Sequence, residues 1–148
     1  VKALPAIEGH VTYEEWEAQI PVELRQDTLW RVSAYRKALF ISDLAWHDSV
    51  KIAKARRLLA TADQLYRAAS NISSNISEGY SRGTGKDRAR LYEYALGSAR
   101  ETRDWYYKSR HALDEAVVAH RIGLGSELIR LILKMVVQER STNRRVKA

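Results

Sequence analysis

Past Pro21 the chain runs 127 residues to its end without another proline. Proline breaks helices because it lacks an amide proton and its ring clashes with the preceding turn. Its absence leaves room for long continuous helices. Apolar residues in this stretch recur at steps of three and four, the period of a helix face, and not in the strict alternation of a half-buried strand. The sequence therefore predicts an all-α fold. Glycines cluster at 79–85 and 123–125, where helices can end or bend.

Four long helices follow from the spacing. The first is expected to start with Asp27 or Thr28 as N-cap, with Val32, Tyr35, Leu39, Ser42 and Trp46 on its buried stripe. The run WHDSVKIAK, from Trp46, reads as the connection that follows. In the second helix Leu58, Ala62, Leu65, Ala69, Ile72 and Ile76 form a coiled-coil-like seam, and Gly79 reads as its C-cap. Thr84 and Asp87 have capping-box spacing and open the third. Its core face is Tyr92, Ala99, Tyr106 and Leu113 in one row, with the small residues Ala95, Thr102 and Ser109 beside it. A fourth runs from about Asp114 to Arg140, with Ile122, Ile129 and Val136 seven residues apart.

These segments predict an antiparallel up-down-up-down four-helix bundle over residues 27–140. Residues 1–26 form an N-terminal extension. In it Thr12 and Glu15 have capping-box spacing for a short helix to about Ala18, and Trp16 needs a partner surface. Residues 141–148 read as a basic flexible tail. The first and fourth helices are apolar on more than one side, which predicts a homo-oligomer.

Composition narrows the function. The net charge is +7, yet residues 1–29 hold two basic and six acidic side chains, so −4 there leaves +11 for the remainder. A body that basic favours polyanionic partners. There is no cysteine, which removes thiolate metal sites and thiol nucleophiles. No signal peptide or membrane-spanning run is evident, so a soluble, cytoplasmic protein with no membrane partner is expected.

Catalytic patterns fail in turn. Gly85-Lys86 resembles the end of a phosphate loop, but Tyr80 stands where the first glycine belongs, and Asp87 where a metal-holding Ser or Thr belongs. The preceding segment is also helical. Among His10, His47, His111 and His120 no pair has helical metal spacing, so no metal and no cofactor is expected. Asn75 and Glu78 lack a partner acid or base, and a structural role is expected, with Glu78 pairing Arg82 or Arg100. The chain reads as a non-enzyme with no small-molecule substrate.

Three basic sets remain as candidates for binding nucleic acid. Arg100, Arg103, Tyr107 and Arg110 share one face of the third helix, from which Glu101 and Asp104 are expected to point away. Guanidinium planes and tyrosine rings there can pair phosphates and stack bases. Arg82, Lys86, Arg88 and Arg90 surround the turn before that helix. Arg140, Arg144, Arg145 and Lys147 lie toward the C-terminus. A protein-interaction scaffold, whose basic face docks an acidic protein, is the alternative reading.

The run ASNISSNISEGYSR, from Ala69 to Arg82, and the run LYEYALGSARE, from Leu91 to Glu101, carry a resemblance. With Asn75, Ile76, Glu78, Gly79, Tyr80, Arg82, Gly97, Ser98 and Glu101 in place, the chain resembles the four-helix-bundle proteins encoded in intervening sequences of bacterial 23S ribosomal RNA genes. The resemblance spans about residues 28–140. That family is similar to the accessory variability proteins of diversity-generating retroelements. The resemblance implies a four-helix bundle, a homopentamer, and a binding role toward nucleic acid, RNA more than DNA, or toward a reverse transcriptase. It also implies that Asn75, Glu78, Gly79, Tyr80, Gly97 and Ser98 form a structural motif.

Overall fold

A computed structural model describes residues 11–147, with the side chains of 142–147 outside the described set. Six α-helices follow in order: α1 Tyr13–Glu17, α2 Val22–Gln26, α3 Ser33–Ile52, α4 Leu59–Tyr80, α5 Gly85–Lys108 and α6 Glu115–Lys147. No strand occurs among the described residues. The four long helices pack in chain order, α3 on α4, α4 on α5 and α5 on α6, and α3 also meets α6.

The local signals for α1 and α5 act as expected. Thr12 and Glu15 form a reciprocal capping box at α1, and the Thr84 hydroxyl accepts the Asp87 amide at 3.2 Å to cap α5. On α4, Ala62, Leu65, Ala69, Ile72 and Ile76 are all buried. On α5 the small row is fully buried as well. Thr102 and Ser109 tolerate this because each hydroxyl donates back to a carbonyl of its own helix, Ser98 and Trp105, both at 2.8 Å.

Several boundaries differ from the sequence reading. Asp27 does cap a turn, accepting the Leu29 amide at 3.0 Å, but that turn is a 3₁₀ turn over Thr28–Arg31, and α3 itself begins at Ser33. WHDSVKIAK is not a connection: α3 continues through it to Ile52, because Ala45, Asp48 and Ile52 extend the buried stripe that starts at Ala34, Ala38 and Ile41. Trp46 is therefore not on the core stripe. It is 55% exposed, and its ring meets Tyr66 of α4 edge-on at 5.3 Å. Leu113 is buried but lies past the end of α5, in the link 109–114. Gly123 and Gly125 do not interrupt α6, which also runs on through most of the segment read as a flexible tail.

Gly79 is a second correction. It sits inside α4, whose C-cap is Ser81. A Cβ at position 79 would lie 2.8 Å from Cε1 of the buried Tyr92 ring. The glycine is there to let α4 and α5 approach, not to stop the helix. Nearby, the Tyr80 hydroxyl donates to Thr28 at 2.8 Å and ties the end of α4 to the 3₁₀ turn.

The N-terminal segment is built into the core from residue 11 onward. Trp16 is fully buried against Trp30 and Phe40, and its indole N–H donates to Asp43 at 2.8 Å. Tyr13 packs edge-on against Phe40 and accepts from Arg36 at 3.1 Å. Burial of the Tyr13 ring, with Glu17 beside it, pushes its hydroxyl up to about 12. Pro21 N-caps the extra short helix α2, which the sequence reading did not contain.

Candidate nucleic-acid interface

The outer side of α5 and its seam with α6 hold most of the predicted binding residues. α6 approaches closely there because Gly125 faces Arg103. A Cβ on Gly125 would stand 3.4 Å from the Arg103 Cβ. Arg103 is half-buried, and its Nη1 donates to Ser126 of α6 at 3.2 Å. Arg100 is exposed. Tyr107 is 54% exposed, and the Arg110 guanidinium stacks on its ring at 4.2 Å. All of these but Arg110, which lies past the end of α5, border an open groove of about 560 Å³ lined by Arg100, Glu101, Arg103, Asp104, Tyr107 and Ile122.

Glu101 and Asp104 thus do not point away from the arginine row. Asp104 stands four residues after Arg100 and three before Tyr107, so it shares their face of α5, and Glu101 lines the groove as well. Each is held by a neighbour one turn on: Glu101 accepts from the Trp105 indole at 3.1 Å, and Asp104 pairs Lys108 at 2.9 Å. Lys108 also lies over the Trp105 ring at 4.6 Å.

The set at the α4–α5 turn divides. Lys86 and Arg90 are exposed, with Arg90 beside the Tyr94 ring at 5.7 Å. Arg82 pairs Glu78 at 2.7 Å, as expected, on an exposed face where such a pair adds little stability. Arg88 is different. Its Nε donates to the part-buried Glu139 of α6 at 2.9 Å, and its Nη1 to the Arg82 carbonyl at 2.9 Å. It joins α5 to α6 and is not free for a phosphate. Arg140 pairs Glu93 across the same seam. The side chains of Arg144, Arg145 and Lys147 lie outside the described residues, as does His10.

The proposed motif residues are scattered in role. Asn75 is half-buried on α4, one turn before Gly79, and the Ser98 carbonyl accepts from Thr102. Gly97 is exposed on α5, and a Cβ there would meet nothing within 4 Å.

One constellation escaped the sequence reading. Asp48 of α3, Tyr106 of α5 and Arg121 of α6 meet in the interior. Asp48 Oδ2 accepts from the Tyr106 hydroxyl and from Arg121 Nε, both at 2.7 Å, and Oδ1 accepts from Arg121 Nη2 at 3.3 Å. Burial holds the Tyr106 hydroxyl well above its ordinary value, and the Asp48 charge adds to that. Burial alone would lower Arg121, but hydrogen bonding and charge from Asp48 outweigh it and raise it. Arg121 Nη1 also contacts His120 Nδ1 at 2.8 Å, and burial together with the Arg121 charge lowers His120. The signal was available: Asp48 falls between Ala45 and Ile52 on a buried row, and Arg121 falls seven residues before Leu128. A charge at a core position calls for an opposite charge at another. Among the described residues no His, Asp and Glu group of three or more is arranged to hold a metal, and no helix is long and apolar enough to cross a membrane.

Residues 32–133 match the family described as 23S rRNA-intervening sequence protein. The chain belongs to this family. The match includes all of α3, α4 and α5 and the first half of α6, so it contains both the groove and the buried junction. It begins after α1 and α2. Among solved structures, a crystal structure of a protein of unknown function from the S23 ribosomal protein family of Bacteroides thetaiotaomicron is similar, with a TM-score of 0.64. The two share 16% identity, and the likeness covers 70% of this chain and 97% of that one. At that identity it speaks for the fold. No curated protein matches the chain.

Proposed function

We propose that the protein is a non-catalytic RNA-binding bundle with up-down-up-down helix order, acting in the cytoplasm as a homo-oligomer. The observation that carries this reading is the placement, within a family named for an intervening sequence of 23S rRNA, of Lys86, Arg90 and Arg100 as exposed cations on the single helix α5, with Arg110 exposed just past its end. Exposed arginines and lysines bind phosphate with little sequence preference, and their repetition around an oligomer multiplies a weak contact. The carboxylates Glu78 and Asp48 are both held by arginines, which suits structure better than acid–base chemistry. Self-association is supported by exposed apolar side chains on two sides, Trp46, Val50 and Leu59 on α3 and α4, and Leu133 and Val137 on α6. The resemblance to retroelement accessory proteins makes a pentamer the expected assembly and a reverse transcriptase an expected partner.

The test is fluorescence anisotropy with a labelled structured RNA across a salt series. Native protein should bind with affinity falling steeply as salt rises. The Arg100→Glu/Arg103→Glu/Arg110→Glu variant, with helicity and oligomer mass shown to be native, should lose that binding. Absence of binding by the native protein at low salt would overturn the reading. The Trp46 side gives the protein-adaptor alternative its own support, since a half-exposed tryptophan beside Val50 suits a protein surface better than a phosphate. Retention of a protein partner after nuclease treatment, with no RNA affinity, would establish it.

A further inference from the structure

We propose that the α5–α6 groove takes an unpaired nucleotide, with its base against Tyr107, its phosphates on Arg100 and Arg103, and the donor edge of the base toward Glu101 and Asp104. The proposal rests on the RNA-binding reading and specifies what part of an RNA the groove accepts.

Charge balance is the first argument. The lining holds two arginines and two carboxylates, and the latter keep one neighbour each on their own helix. A bare polyanion entering such a groove meets repulsion as well as attraction. A nucleotide offsets that repulsion, because it joins an anionic phosphate to a base whose N–H groups donate to carboxylate oxygens. Each carboxylate uses one oxygen for its neighbour, Glu101 Oε1 for Trp105 and Asp104 Oδ2 for Lys108, which leaves the other to accept from a ligand.

Shape is the second. At about 560 Å³ the groove falls in the range of small-ligand sites. Tyr107 lines it, whereas Arg110, stacked on the same ring, does not. The ring thus carries a guanidinium over one face and lines the groove, and an exposed ring of this kind can serve as a stacking platform. Ile122 adds an apolar surface from α6. Arg103 is positioned by Ser126, while no ion pair among the described residues engages Arg100. An RNA duplex buries its base faces in its own stack and presents phosphate and sugar. The groove would then offer its carboxylates to phosphate, so single strands, loops and bulges should be preferred.

The experiment uses the full chain and a short labelled single strand of alternating adenine and guanine. Competitors are the same strand unlabelled, that strand paired with its complement, and inorganic polyphosphate of matched charge. The single strand should compete about tenfold better than either of the others, and Tyr107→Ala should lose about tenfold for the single strand alone. Tyr107→Phe should bind as the native protein does, since stacking needs the ring and not the hydroxyl. In Glu101→Gln/Asp104→Asn, polyphosphate should become a better competitor. Equal competition by all three ligands, or a Tyr107→Ala variant that binds the single strand like the native protein, would overturn the groove proposal while leaving RNA binding intact. No binding of any RNA by the native protein would remove both.

Discussion

The buried junction and the surface groove share three residue types. Asp48, Tyr106 and Arg121 meet in the interior; Asp104, Tyr107 and the arginines 100 and 103 meet at the α5–α6 seam. In the junction each polar group is satisfied by another from a different helix, and Asp48 and Arg121 are only 8% and 6% exposed. In the groove each carboxylate is held by its own helix and the tyrosine is half in solvent. Composition does not separate these sites. What separates them is whether the hydrogen-bonding capacity is used up inside the fold or left open to a ligand.

The largest effect should come from breaking the junction. Asp48→Ala leaves the Arg121 guanidinium buried beside an unpaired Tyr106 hydroxyl, and removal of one partner of a buried pair costs about 3–5 kcal/mol. Chemical denaturation should show a loss of that order. Asp48→Leu/Tyr106→Phe/Arg121→Met removes both charges and the hydroxyl that Asp48 accepts from, and most of the stability should return, because the cost comes from the orphaned polar groups. A single variant as stable as the native protein would mean that water reaches the junction, and the contrast with the groove would fail.

The junction also marks the limit of what the sequence discloses. The capping box at Thr12, the cap at Thr84, the α4 seam and the small row of α5 were legible because each depends on residues within a few turns of one another. Asp48 and Arg121 are 73 positions apart. A lone polar residue amid His47, Ser49 and Lys51 resembles a connection until its partner is seen, and so WHDSVKIAK reads as one from sequence. Arg88 reads as a candidate phosphate contact for the same reason, since Glu139 is 51 positions away. The acidic half of the groove was missed on different grounds. Asp104 shares the face of Arg100 and Tyr107 at steps of four and three, and a row traced through the arginines and the tyrosine alone passes over it.

Next in size is Gly79→Ala, in which Tyr92, itself buried, cannot yield to the added methyl group. Overpacking of this kind costs about 1–3 kcal/mol, against which the better helix propensity of alanine is a minor offset. Gly97→Ala is the matched control on the neighbouring helix. With open space at its Cβ, the variant should gain about 0.5–1 kcal/mol from helix propensity. A gain at 97 and a loss at 79, read as opposite shifts in melting temperature, would confirm that one glycine is a packing device and the other is not needed by the isolated fold. If Gly97→Ala keeps that gain but loses oligomer mass, the exposed face of α5 at 97 is where another copy comes close.

Alkaline pH probes buried tyrosines that lie outside both regions. Burial raises Tyr92 to about 12, as it does Tyr13, so the folded chain keeps protons that the unfolded chain gives up at about 10. Such groups stabilise the fold fully below pH 10 and lose that contribution as pH rises toward 12. Stability should fall through that window, and Tyr92→Phe should fall less steeply.

The smallest effect on stability belongs to the residue on which the groove depends most. Tyr107→Ala removes a half-exposed ring whose one described side-chain partner is the Arg110 guanidinium, with no hydrogen bond from its hydroxyl among the described residues. A surface change of this kind is expected to stay within about 0.5 kcal/mol. Tyr106, its immediate neighbour, is fully buried with its hydroxyl on Asp48. Tyr106→Ala should therefore unfold the chain readily, and Tyr107→Ala should leave the melting curve in place while changing only what the surface binds. If Tyr107→Ala also lowered the melting temperature by several degrees, the ring would be part of the packing between α5 and α6, and the groove would lose its claim to be a surface kept open for a ligand.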